Sequence, residues 1–231
     1  MSNFNENLVK GETQNNMHFN FTDYSEVEEY RLEHSDDFDE IKIDFWLDNL
    51  NVTVSKDGSD YVEAHLYGKS KCPEEIELDV YVDKCVLHID ADFKSGRNEG
   101  EVTLDVTVPQ KKLRSLAIQS LNSDIRLENV EADWLWIINT EGNTEIKNVT
   151  YRMGIFLTVT GRMDLIAKAQ SYSKTKLTTV SGEVMAQFLN VGEIEFDLEA
   201  TQGPFYNCHV DKGDYKAKVF VQSVSGTVWI G

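Results

Sequence analysis

The sequence predicts an all-β protein built as a solenoid, and three observations carry that prediction. Val-Ser-Gly-x-Val occurs twice near the end of the chain, as TTVSGEVMA (Thr178 to Ala186) and QSVSGTVWI (Gln222 to Ile230). Positions equivalent to the glycine of that motif recur at Ser123, Gly142, Gly161, Gly182, Gly203 and Gly226, at spacings of 19 to 23 residues. Mostly apolar residues sit at fixed offsets from these anchors and lie two apart, the period of a strand with one buried face.

Each column can be followed from unit to unit. Two residues after the anchors stand Ile125, Thr144, Met163, Val184, Phe205 and Val228; five before stand Ile118, Ile137, Phe156, Leu177, Leu198 and Val221. Seven before stand Leu116, Leu135, Gly154, Thr175, Phe196 and Val219. A strand-turn unit of this length, repeated, indicates a solenoid whose coils cannot bury their inner faces alone and so stabilise one another as neighbours. The expected form is a single-stranded β-helix with coils of about 19 to 23 residues. Glycine suits the anchors because it takes positive φ without strain.

Polar residues between the columns should form rows about 4.8 Å apart on the outside. In that register Arg162 meets Glu183, Arg126 meets Glu145, and Glu128 meets Lys147, while Glu145 lies beside Asp164. Such exposed pairs contribute about 0–1 kcal/mol each.

Upstream, the alternation continues with a looser period. Ile41, Ile43 and Phe45, then Leu50, Val52 and Val54, bracket a bend near Asp48-Asn49. Ile76 to Val82, Cys85 to Phe93 and Val102 to Val108 alternate in the same way, and Pro109 closes the last of these strands. Cys85 is expected as a small buried hydrophobe. These longer, antiparallel-like strands open the same sheet system. SEVEEYRLEH (Ser25 to His34) carries a capping-box pattern, but its alternation favours a strand, and a further strand is expected at Met17, Phe19 and Phe21. The domain division is therefore an acidic N-terminal segment over 1–35, partly ordered, and one solenoid over 36–231. Within the latter, 36–112 are opening strands and 113–231 six regular coils.

Composition bounds the function. The net charge of −18 is concentrated early: the first 112 residues hold 26 acidic and 11 basic side chains, the remainder 14 and 11. Such a surface repels nucleic acid. Three cysteines, Cys72, Cys85 and Cys208, make no disulfide framework and show no zinc spacing. The N-terminus has no cationic and apolar leader, and no run is long enough for a membrane span. A cytoplasmic location is expected, with the cell surface reached only by another route.

Candidate chemistry is sparse. His88, Asp90 and Asp92 share a strand face, which is expected to be solvated and not a metal site, while Cys85 and His88 should point to opposite faces. His18, His34, His65 and His209 lack spaced partners. Ser181 and Ser225 precede glycine, but the nucleophile elbow is absent and the repeat explains both. No phosphate-binding glycine loop occurs. Three sequons, at Asn20, Asn51 and Asn148, have no secretory context. No catalytic residue, metal or cofactor is expected. Trp134, Trp136 and Trp229 are exposed aromatics that could stack on a sugar face. Trp134 and Trp136 flank the inward Leu135 and should point outward together, as the best surface feature in the chain.

The segments NSDIRLENV (Asn122 to Val130), EGNTEIKNV (Glu141 to Val149) and VSGEVMAQFLNV (Val180 to Val191), closed by SVSGTVWIG, carry a resemblance. With the opening DDFDEIKIDFWLDNLNVTVSKDGSD (Asp36 to Asp60), the chain over about 36–231 resembles the bacterial putative-adhesin family of β-strand-repeat domains of unknown function. The resemblance implies a single-stranded β-helix with no established enzymatic activity and no catalytic residues to carry over. Ser123 in place of glycine and the coil at Thr160-Gly161-Arg162-Met163 depart from its pattern.

The expected function is a non-catalytic binding or interaction scaffold with a protein or glycan partner. The alternative is a self-associating cytoplasmic assembly or regulatory module; a polysaccharide-active enzyme would need a carboxylate cleft that the charge-paired rows do not offer. Val228 and Ile230 lie in a final coil with no polar cap in the sequence. That coil is expected to be covered by the N-terminal segment or by a second subunit, giving a homo-oligomer.

Overall fold

The computed structural model describes residues 25–34, 38–54, 60–94, 100–169, 172–199, 202–210 and 213–231; the strand expected at Met17 to Phe21 lies outside them. Among the described residues the protein is all-β, with one short 3₁₀ turn at Pro73–Glu75 and no α-helix.

The anchors divide each coil into two strands, one on each of two parallel faces. The first face runs, in spatial order, β6 (Val86–Phe93), β2 (Glu40–Phe45), β8 (Leu113–Ser120), β10 (Glu131–Asn139), the second half of β11 (Asn143–Thr158), β13 (Ser173–Thr179), β17 (Tyr215–Ser223) and β15 (Val191–Glu199). The second face runs β7 (Gly100–Val108), β3 (Asn49–Val54), β9 (Asp124–Glu128), the first half of β11, β12 (Arg162–Lys168), β14 (Glu183–Leu189), β18 (Thr227–Ile230) and β16 (Phe205–Asn207). β11 crosses from one face to the other at Asn148, whose φ of 54° makes the corner and shifts the register between Ile146 and Val149.

The inward columns stack as a core. Ile118, Ile137, Phe156, Leu177 and Val221 are opposite one another and buried. Burying each such side chain contributes roughly 1.5–3 kcal/mol, which sustains coils that hold no core alone. The two exceptions in the neighbouring column explain each other. Gly154 leaves room that the Tyr151 ring fills: a Cβ there would lie 2.6 Å from that ring. The Tyr151 hydroxyl then bonds the Thr175 hydroxyl at 2.9 Å, and burial pushes the phenol far above its ordinary pKa.

Coils do not stack in chain order at either end. β17–β18, the last coil of the sequence, sits between β13–β14 and the earlier β15–β16. Val228 and Ile230 are therefore covered within the stack, between β14 and β16, and are not the open end that the sequence led us to expect. At the other end β2–β3 is enclosed by the later β6–β7. The opening strands are antiparallel only in part. β4 (Tyr61–Ser70) pairs β7, β1 (Ser25–His34) pairs β4, and β5 (Ile76–Asp83) pairs β6 in antiparallel fashion, whereas β2, β3, β6 and β7 join the parallel stacks. The path is thus solenoid-like, with exchanged ends and antiparallel flanks.

Cys85 is exposed, contrary to the expectation of burial. With Lys84 it forms the two-residue turn between β5 and β6, and φ angles of 51° and 66° identify the primed turn that matches strand twist.

Candidate functional site

The anchors build the ridge on which both faces hang. Val159 O accepts from Ser181 N at 2.8 Å and Gly182 N at 3.0 Å, and Val180 O accepts from Ser225 N at 2.7 Å and Gly226 N at 3.0 Å. The Ser225 hydroxyl adds a bond to Val180 O at 3.1 Å. Val-Ser-Gly is thus a turn that docks on the turn below, and the two serines are structural. Positive φ is not the general reason for glycine: among the anchors only Gly142, at 86°, has it. Close approach is the reason. A Cβ on Gly161, Gly182 or Gly226 would lie 1.8, 2.2 or 2.3 Å from the carbonyl oxygen of the neighbouring anchor. Ser123 fits because its hydroxyl turns down onto Leu47 O, in the differently shaped β2–β3 coil.

Trp134 and Trp136 project outward from β10 on the first face and are 47% and 50% exposed. Trp134 is in register with Ser115 and Met153, and Trp136 with Ala117 and Ile155, so the pair heads a band three strands wide that is apolar except at Ser115. On one side of the band stand Lys174 and Lys176 of β13, both exposed. On the other side is an acidic sector in which Asp44 and Asp90 oppose each other across β2 and β6. Burial, then the Asp44 charge, raises the Asp90 carboxyl above its ordinary range; Lys42, hydrogen-bonded to Asp44, opposes this. His88 stacks on Tyr81 at 4.8 Å and 5°. Among the described residues no group of three or more His, Cys, Asp or Glu is arranged to hold a metal. No helix among them is long and apolar enough to cross a membrane.

The second face carries a trough that the Trp134–Trp136 reading does not include. One depression of about 430 Å³ is lined by Asp164, Ile166, Met185, Gln187 and Trp229. A second of about 450 Å³, lined by Asn51, Tyr67, Asp124 and Asn143, shares Glu145, Arg162 and Asp164 with it. Tyr206 stacks on Trp229 with ring centres 4.0 Å apart and planes at 15°. Arg162 Nε donates to both Asp164 oxygens at 3.1 Å, its Nη1 lies 3.5 Å from Glu183, and its Nη2 lies 3.0 Å from Met185 Sδ. Arg126 lies 3.9 Å from Glu145, which Lys147 also contacts, so Lys147 pairs along its own strand although Glu128 opposes it in register. The signal for this trough was in the sequence. Three residues after the anchors the column reads Arg126, Glu145, Asp164, Met185, Tyr206 and Trp229, turning from charged to aromatic.

Comparison with known proteins agrees with this architecture. A structure described as a putative cell adhesion protein from Clostridium sporogenes is 12% identical, covers 89% of this chain and 99% of its own, and superposes with a TM-score of 0.51. A putative adhesin from Bacteroides fragilis, 15% identical, covers 88% of this chain and 97% of its own with a TM-score of 0.40. A putative lipid binding protein from Parabacteroides distasonis, 13% identical, covers 89% and 97% with a TM-score of 0.39. No curated protein matches the chain. At these identities the likeness speaks to fold alone. The Toastrack DUF4097 family model matches residues 38–230, nearly the whole of the stacked coils, and the chain belongs to that family.

Proposed function

We propose that the protein is a non-catalytic, adhesin-like binding scaffold, whose stacked coils present the Trp134–Trp136 band to a partner surface. On this reading residues 36–231 work as one solenoid, following a single-stranded β-helical path from β8 to β14. The observation that supports it is the outward pair Trp134 and Trp136, each about half exposed, held on a strand with paired neighbours on both sides. Large aromatics fixed on a rigid element lose little entropy on contact and are typical anchors of interfaces. The similarly folded structure described as a putative cell adhesion protein is in keeping with a binding role. The alternative, a cytoplasmic module self-associating at this end, would use β15 and β16, where Leu198 is exposed, and not Val228 and Ile230, which are already covered.

The test is retention of the purified protein by isolated cell envelopes, set beside protease shaving of intact cells. Trp134→Ser with Trp136→Ser should abolish retention while leaving the melting temperature within a few degrees, because both side chains are exposed. Undiminished retention by that double variant would move the binding surface elsewhere. Protection of the native protein in whole cells would direct the search to intracellular partners.

A further inference from the structure

We propose that the trough on the second face is a binding site for a neutral, hydroxyl-rich saccharide, with Met185 and Trp229 as its apolar floor and Arg162, Asp164 and Glu145 as its hydrogen-bonding rim. This site is on the face away from Trp134 and Trp136 and does not depend on them.

Three features of the trough select that ligand class. The first is size and direction. The two depressions, about 430 and 450 Å³, both reach Glu145, Arg162 and Asp164 and so adjoin one another across successive coils. Two adjoining depressions suit an oligomer better than a single small molecule. The second is the mixture of surfaces. A sugar ring presents a C–H face and a rim of hydroxyls, each both donor and acceptor. Met185 and Trp229, 40% and 37% exposed, offer the matching apolar ground. Around them stand planar polar groups that donate or accept in pairs: the Arg162 guanidinium, the carboxylates of Asp164 and Glu145, and the amides of Gln187 and Asn143.

The third feature is charge balance. Arg162 is neutralised by Asp164 and Glu183, while Glu145 is shared between Arg126 and Lys147. With Glu101 and Asp124 also on its wall, the trough offers many hydrogen bonds and a slightly negative field, so an anionic polymer gains nothing by entering it. A peptide is less well served, since the strands beneath the floor are paired on both sides and present no free backbone edge. The site is also held rigid. β12, β14 and β18 lie inside the stack, and Tyr206 from the terminal coil braces one face of Trp229. A preorganised platform reduces the cost of ordering on binding.

The test is titration calorimetry of the full chain with cellohexaose, laminarihexaose and hexa-N-acetylchitohexaose, with polygalacturonate as the anionic comparison. At least one neutral oligosaccharide should bind with little dependence on salt. Trp229→Ala should weaken it by at least about tenfold, and so should Asp164→Ala, which removes a rim group without touching the core. The Trp134→Ser, Trp136→Ser variant should bind as the parent does, which separates this site from the scaffold face. Circular dichroism of each variant checks the fold. The proposal is overturned if none of the neutral oligosaccharides binds at millimolar concentration. It is equally overturned if binding survives both trough substitutions, or if only polygalacturonate binds and salt abolishes it.

Discussion

At the scale of single residues, the repeated glycine is a packing requirement. Each turn lies directly on the backbone of the next, and the Cβ of an alanine at Gly161 would meet Gly142 O at 1.8 Å. Gly161→Ala should therefore destabilise by an amount at the upper end of the roughly 0.5–3 kcal/mol of ordinary substitutions, read as a shift in the urea midpoint with an unchanged slope. The sequence marked these positions correctly as a ladder but for another reason, because spacing alone does not distinguish a φ requirement from a steric one. Asp90 shows a second residue-scale effect. Its carboxyl is raised by burial and by Asp44, so its protonated form is favoured in the folded state. The stability it contributes is full at low pH and is lost as pH rises through the folded-state pKa. Asp90→Asn should accordingly leave the protein as stable as the parent or more so at pH 7. The difference should shrink as pH falls toward the ordinary Asp range of about 3.9, as thermal melts of both proteins over a falling pH series would show.

At the scale of elements, five of the six turns, all but the one preceded by Ala200, carry a polar row that the apolar columns concealed. Ser120, Asn139, Thr158, Thr179 and Ser223 stand three residues before their anchors and are all buried. Asn139 donates to Ser123 O at 2.8 Å and to the Thr144 hydroxyl at 3.0 Å, and Ser223 donates to Gly226 O at 2.6 Å. Thr179 has no such bond for its hydroxyl, and its side chain serves as a support beneath Gly226. The two roles should separate on mutation. Ser223→Ala leaves Gly226 O short of a donor and should cost about 1–2 kcal/mol, whereas the near-isosteric Thr179→Val should be neutral or stabilising. Calorimetric melts of the two variants compare them directly, and an equal loss in both would assign Thr179 a bond. This row was visible in the sequence as a column of small polar residues. It went unread because small polar residues near turns are ordinarily solvated, and only the stacking of turn on turn buries these. The corner asparagines Asn129, Asn148 and Asn190, all at positive φ, are a similar case: each precedes a valine in the repeat, and the sequence displays the pair without displaying the left-handed corner.

At the scale of the whole molecule, register was legible and order was not. Every apolar column reappears as a row of paired strands, because a slip of one residue would turn its inner side chains to solvent. The order of the coils carries no such penalty. Val184 can stack on Val228 or on Phe205 with the same alternation, so the pattern is silent about which coil lies beside which, and it is Val228 that lies there. The same degeneracy left the trough's floor undecided, since chain order would set Tyr206 beside Met185, whereas the exchanged order sets Trp229 there. The exchange has a consequence for folding. β15 pairs with β17 and β16 with β18, so among the described residues the terminal coil is attached to the stack through the last seventeen residues of the chain. Removing residues 215–231 should therefore do more than remove one coil. It should leave β13 and β14 as open edges and release 191–207 together with the Tyr206–Trp229 stack. Limited proteolysis of such a truncated chain should cut first within 191–214, while β8 to β12 stay protected, and the intact chain should resist at the same protease concentration. Equal protection of 191–207 in both proteins would mean that the terminal coil holds without β17–β18, and that the exchanged order is not what fastens this end.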